Sequence, residues 1–245
     1  KAGKNAMKRM AVNEMSLLDA GFGNHAVALD LRAKAGRTKA AVTAYYMEQR
    51  SLDAYKKALE DGKMICGRVL VLPDCMALMA RELWREERVL LLDVSQGGMG
   101  FYVLSGGHCL ACRMTGLKAG CFLREEALDM LCEEMAEQVE GLIQDCRTEA
   151  DIPVPDCMVI MTSCIPDAGA AAEYMSERFK IPCCVRMPEP VDATCLAVCV
   201  AGSLEGKKKA LELEELGYGD GENSVLGHGP FMTRGRALFL LANGL

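Results

Sequence analysis

Residues 89–115, reading VLLLDVSQGGMGFYVLSGGHCLACRMT, constrain this chain more than any other stretch. An apolar run over 89–92 reaches Asp93, and a glycine-rich turn with Gly97, Gly98 and Gly100 follows. Alternation resumes over 101–104, a second turn sits at Ser105-Gly106-Gly107, and a third strand-like run begins at His108. The pattern predicts strand, loop, strand, turn, strand, with a carboxylate ending the first strand. An aspartate followed by a glycine turn at a strand end can offer backbone N–H groups and a metal-orienting carboxylate to a phosphate. The same residues suit a plain β-meander whose glycines serve only tight turns.

The chain has 245 residues, enough for one large domain or two smaller ones with a sizeable core. A net charge of -6, with Lys207-Lys208-Lys209 the one basic cluster, argues against a nucleic-acid partner. No apolar run approaches the roughly 20 residues that span a bilayer, and no signal-peptide pattern opens the chain. The start at Lys1 rather than methionine predicts a fragment with residues missing upstream. Thirteen cysteines, many inside apolar runs, read as small buried hydrophobes in a reducing compartment rather than a disulfide scaffold. The single C-x-x-C, Cys109 to Cys112, falls in the third strand, where period two sends the thiols to opposite faces unless the strand bulges. Cys195 and Cys199 lie one helical turn apart with no nearby histidine, which favours packing. His25, His108 and His228 are isolated, so neither a metal site nor a catalytic constellation is expected.

Along the chain, residues 1–15 read as a weakly amphipathic helix and residues 16–24 as a turn. That turn, with Asp19, Gly21 and Gly23, mimics a phosphate loop but lacks a preceding strand. Strands are expected over 25–32 and 39–47, paired as a hairpin, and Ser51 is expected to cap a helix that buries Leu52, Tyr55 and Leu59 and ends at Gly62. A strand over 64–72 leads to a helix opened by Pro73 and Asp74 and running through Trp84. After the meander comes the longest helix, residues 124–146, with Leu128, Leu131, Met135, Val139, Leu142 and Cys146 at helical spacing. Two prolines in 151–156 stop it. A buried strand at 157–161, a helix capped by Asp167 and running to Phe179, a short strand at 183–186 and a small-residue helix capped by Asp192 follow. Residues 217–229 read as loop or disorder, and 231–245 form an apolar tail without assignment. The order predicts an α/β protein with sheets covered by helices.

Three stretches resemble the actin-like ATPase superfamily and, within it, the type IV pilus assembly family PilM and the cytoplasmic domain of the type II secretion family GspL. They are AVTAYYMEQRSLDAYKKALE (residues 41–60, leading on to the helix at Pro73-Asp74), VLLLDVSQGGMGFYVLSGG (89–107) and MVIMTSCIPDAG (158–169). The resemblance covers about residues 25–203 and rests on pattern and order. It implies an actin-like (ribonuclease H-like) fold of mixed sheets flanked by helices, lacking the first phosphate-loop subdomain. Residues 1–85 would form part of a first lobe, 86–206 a second lobe, and 207–245 a loop-rich tail.

The departures from the family pattern are as informative. The second phosphate loop of the superfamily reads Asp-x-Gly, and here Asp93-Val94-Ser95 puts a Cβ where the backbone approaches phosphate. The nucleoside-side glycine pair is replaced by Ser163-Cys164. A first phosphate loop would have to come from Asp19-Ala20-Gly21-Phe22-Gly23. Asp93, Gly97, Gly98, Thr162 and Ser163 are therefore the degenerate equivalents of a nucleotide site, no residue is assigned as catalytic, and no cofactor is expected. By resemblance the chain is a non-catalytic cytoplasmic scaffold at the inner face of the cytoplasmic membrane. It would bind the tail of a PilN-like membrane protein through a groove or strand edge, alongside other pilus assembly proteins. The alternative reading is an ATP-binding kinase or ATPase, with Asp93 orienting Mg²⁺ and water and the glycines on phosphates.

Overall fold

The computed structural model describes residues 10, 12–13, 25–33, 40–66, 68–84, 88–95, 98–115, 127–149, 152–162, 164–186, 193–204, 211–215 and 237–240. The chain divides into two units, Lys1–Val71 with Ala210–Ala242, and Leu72–Lys209 with Asn243–Leu245. The phosphate-loop mimic at 16–24, the cap residue Asp192, the three-lysine run and the loop at 217–229 lie outside the described residues.

In the first unit the alternating segments pair as expected. β1 (His25–Ala33) and β2 (Ala40–Glu48) run antiparallel from His25↔Glu48 to Ala33↔Ala40. β2 passes directly into α1 (Gln49–Asp61), whose N-cap is Glu48 and has no side-chain cap bond. Ser51 therefore sits inside the first turn instead of capping it, because the strand ends three residues earlier than its cap-like hydroxyl suggests. Of the face expected to be buried only Leu52 is fully so, and Tyr55 is exposed. Gly62 ends the helix as expected, with its N–H on the Ala58 carbonyl at 3.1 Å. The strand expected over 64–72 shortens to β3 (Arg68–Val71), and Met64 and Ile65 stand exposed. The C-terminal region supplies two strands, β9 (Glu214–Glu215) beside β1 and β10 (Ala237–Leu240) parallel to β3. Ala26, Leu52 and Val69 form a small core, with Met47, Cys66 and Leu213 packed against it.

The second unit begins with α2 (Leu72–Trp84), buried at every residue from 72 to 80, Asp74 included. β4 (Arg88–Ser95), β5 (Gly98–Ser105) and β6 (His108–Thr115) form the expected meander. The β5–β6 turn places Gly106 at φ 58° and Gly107 at φ 81°, left-handed conformations that glycine adopts without penalty. α3 (Leu128–Glu149), β7 (Cys157–Thr162), α4 (Ala168–Phe179), β8 (Cys183–Val185) and α5 (Ala193–Ser203) follow. Asp167 caps α4 as expected, accepting from the Ala170 N–H at 2.9 Å.

The five-stranded sheet has the order β6-β5-β4-β7-β8, with β7 and β8 parallel to β4 and the meander antiparallel. α3 and α4 cover one face over a core that includes Leu90, Leu92, Phe101, Met135, Ile160 and Met175. α2 contacts β5 and β6 on the unit's other face and packs on α5, whose buried Ala193, Ala197 and Ala201 allow close approach. Arg88 ties the starts of β4 and β7 together, donating to both carboxylate oxygens of Asp156 at 2.8 and 2.6 Å. Among the described residues no helix is long and apolar enough to cross a membrane.

Candidate functional site

Parallel pairing of β4 with β7 brings two of the expected residues to neighbouring strand ends. Asp93 stands opposite Met161 and, on the other side, opposite Gly100 of β5, while Val94 stands opposite Thr162. Gly98 pairs with Ser95, whose hydroxyl donates to the Gly98 carbonyl at 3.1 Å. Gly97 and Ser163 lie outside the described residues. Asp93, Thr162 and Gly98 are thus brought to one end of the sheet.

The chemistry at that end is largely taken up by the fold itself. Asp93 is 8% exposed and accepts from the Thr194 hydroxyl at 3.3 Å, in the first turn of α5. A carboxylate there also meets the positive end of the helix. Thr162 is buried, and its Oγ1 accepts the N–H groups of Cys164 and Ile165 at 3.1 and 3.2 Å, folding the chain after β7 into a turn. The Cys164 thiol donates to the Val94 carbonyl at 3.4 Å and fastens that turn to β4. In the position that the resemblance gives to a nucleoside-facing glycine, Cys164 therefore bonds to the strand next door.

Sequence reading missed Tyr102. It is fully buried two residues beyond Gly100 on the same strand face, and its ring lies over that glycine. A Cβ at Gly100 would stand 2.5 Å from the tyrosine oxygen, so this packing requires glycine. The signal was present as a glycine followed at i+2 by an aromatic, a pairing in which the ring covers the exposed backbone. The Tyr102 hydroxyl has no hydrogen-bond partner among the described residues. Burial, then the charge of Asp93, push its phenol well above the ordinary tyrosine value.

A nucleotide with Mg²⁺ is what an actin-like fold implies at such a place, and the described residues fit it poorly. Mg²⁺ keeps several waters when bound to protein carboxylates. Asp93, 8% exposed and already bonded to Thr194, leaves little room for a hydrated ion. Both lone-pair directions of the Thr162 hydroxyl are used in its turn. Among the described residues no group of three or more His, Cys, Asp and Glu side chains converges.

Cys109 and Cys112 fall under the exception for a bulged strand. Leu104 pairs with Cys109 and Val103 with Ala111, so Leu110 is an extra residue and β6 bulges there. Regular alternation fails at that point, and the two thiols share a face.

Against known proteins, the chain matches at the level of the fold. The PilM–PilN type IV pilus biogenesis complex is similar with a TM-score of 0.61 at 12% identity, over 76% of this chain and 63% of that one. This chain thus spans less than two thirds of that protein's length. Ethanolamine utilization protein EutJ from Carboxydothermus hydrogenoformans gives 0.34 at 18% identity, over 51% of this chain and 53% of that one. Component A of (R)-2-hydroxyglutaryl-CoA dehydratase from Acidaminococcus fermentans gives 0.37 at 10%, over 72% and 96%. No protein-family model and no curated protein matches. The expectation of an actin-like fold, with mixed sheets flanked by helices and a likeness to PilM, is met.

Proposed function

We propose that the chain is a non-catalytic, PilM-like scaffold of a type IV pilus or type II secretion assembly platform. It works on the cytoplasmic face of the inner membrane and holds the cytoplasmic tail of a PilN-like membrane protein. The observation that carries the reading is the fold shared with the PilM–PilN type IV pilus biogenesis complex. The site adds support, because the groups a nucleotide would need are engaged elsewhere: Asp93 with Thr194, and Thr162 with its own turn. Main-chain recognition of an extended tail needs a strand with a free edge. Among the described residues β6 and β8 end the five-stranded sheet of the second unit, and β2 ends the three-stranded sheet of the first.

The second reading, an ATP-binding kinase or ATPase, is favoured by one observation, the buried carboxylate of Asp93 at the end of β4. Thermal unfolding with and without ATP and Mg²⁺ separates the two. A nucleotide at 100 times its Kd would stabilise by about 2.7 kcal/mol, and the scaffold reading expects no shift. Titration of the full-length protein with a peptide copying the N-terminal tail of a PilN-like protein tests the scaffold directly. Saturable binding supports it, and failure to bind refutes it.

A further inference from the structure

The bulge in β6 makes a pair out of two cysteines that regular alternation would separate. With Leu110 as the extra residue, Leu110 and Ala111 both turn toward the core under α3 and α4. Cys109 and Cys112 then both stand on the opposite face, across from Leu104 and Tyr102, which are themselves two residues apart on β5. Three residue steps of β6, Cys109 to Cys112, run beside two of β5, Leu104 to Tyr102, so the bulge draws the two cysteines closer along the strand than C-x-x-C spacing in a regular strand would. The Cys109 thiol donates to the Ala111 carbonyl at 3.3 Å, on the stretch of chain between the two cysteines. Cys109 is buried and Cys112 exposed, and β6 ends the sheet among the described residues, so one thiol meets solvent while the other waits behind it.

We propose that Cys109 and Cys112 form an exchange-reactive dithiol that reduces low-molecular-weight disulfides of the glutathione class and closes into an intramolecular disulfide. The Cys112 thiolate, its proton released to solvent, attacks one sulfur of the small disulfide. A mixed disulfide forms on Cys112, and the first small thiolate leaves and takes a proton. Cys109 then loses its proton to solvent and attacks Cys112 Sγ, expelling the second small thiolate, which is protonated in turn. Two protein thiols are oxidised to one disulfide while one small disulfide is reduced to two thiols.

The division of labour follows from the geometry. The exposed thiol attacks, and the buried one resolves the intermediate. The neighbouring Cys109 side chain holds the Cys112 thiol below the ordinary value, which raises its thiolate fraction at neutral pH. Exposed Cys184, Cys195 and Cys199 provide internal references on the same molecule.

The test incubates the full chain with oxidised glutathione at neutral pH, quenches with acid and an alkylating agent, and maps peptides by mass spectrometry. The expected result is an internal disulfide in the peptide carrying Cys109 and Cys112, formed faster than glutathione adds to Cys184, Cys195 or Cys199. Cys109→Ser, with Cys109→Ala as a second variant if serine is poorly tolerated in the buried position, should trap glutathione on Cys112. Cys112→Ser should leave Cys109 unmodified. Full alkylation of both thiols in the wild-type protein after the incubation overturns the proposal and depends on no variant. Modification of Cys112 no faster than the three reference cysteines overturns it as well.

Discussion

Replacing Tyr102 by phenylalanine probes the face of the sheet that carries Asp93, and the expected sign is unusual. The ring is fully buried over Gly100 and its hydroxyl has no hydrogen-bond partner among the described residues. A buried hydroxyl left without a hydrogen bond costs about 1–3 kcal/mol on the scale of protein mutational data. Tyr102→Phe deletes that oxygen and keeps the ring, so it should stabilise the second unit by about 1–2 kcal/mol, whereas most substitutions destabilise. Urea unfolding should show a higher midpoint with an unchanged slope. The pH dependence gives a second readout. The folded phenol is held well above its ordinary value by burial first and by Asp93 next. In the unfolded chain it ionises near pH ~10. Below that pH both states keep the proton and the difference contributes nothing to the slope. Above it the unfolded state sheds the proton first, so wild-type stability falls as pH rises. The advantage of Tyr102→Phe should therefore grow as the pH rises above ~10. A loss of more than about 1 kcal/mol near neutrality, or an advantage that stays flat up to pH ~11, would show that the hydroxyl is bonded or already ionised in the folded protein.

Three further substitutions test the packing at and around the site. Gly100→Ala places a Cβ 2.5 Å from the Tyr102 oxygen and should destabilise by about 1–3 kcal/mol in urea unfolding; tolerance would mean the ring can move aside. Thr194→Val removes the donor to Asp93 and should lower stability by about 1–2 kcal/mol, seen as a lower midpoint with the slope kept. Asp167→Ala loses the cap on the first turn of α4 and should cost about 1 kcal/mol, with Asp167→Asn restoring most of it in the same assay.

The parts of the fold that the sequence made legible are those set by local periodicity. Alternation located β1, β2 and the meander, helical spacing located α3, and Asp167 was recognised as a cap because its side chain acts on an N–H only three residues away. The hydroxyl of Ser51 carries the same local signal and does not cap, because β2 runs on to Glu48 and pairs there with His25. Strand pairing is a tertiary contact, and it outweighed a local preference worth about 1 kcal/mol. The site divides along the same line. That Asp93 and Thr162 come to the same end of the sheet follows from the parallel pairing of β4 with β7. What engages Asp93 is Thr194, 101 residues further along the chain, and no spacing rule reaches that far.

The bulge at Leu110 shows how little sequence is needed to defeat a face assignment. In a regular strand two same-face thiols need the spacing C-x-C, and C-x-x-C sends them apart. One inserted residue converts the second pattern into the equivalent of the first, because the residues on either side of the bulge keep their partners on β5: Cys109 with Leu104 and Cys112 with Tyr102. The trace left in the sequence is the adjacent apolar pair Leu110-Ala111, both of which pack on the same core where alternation would have sent one of them away. Two neighbouring apolar residues in an otherwise alternating edge strand are therefore the feature to weigh before a cysteine spacing is read as a face. In this chain that feature decides whether Cys109 and Cys112 are two isolated thiols or one dithiol.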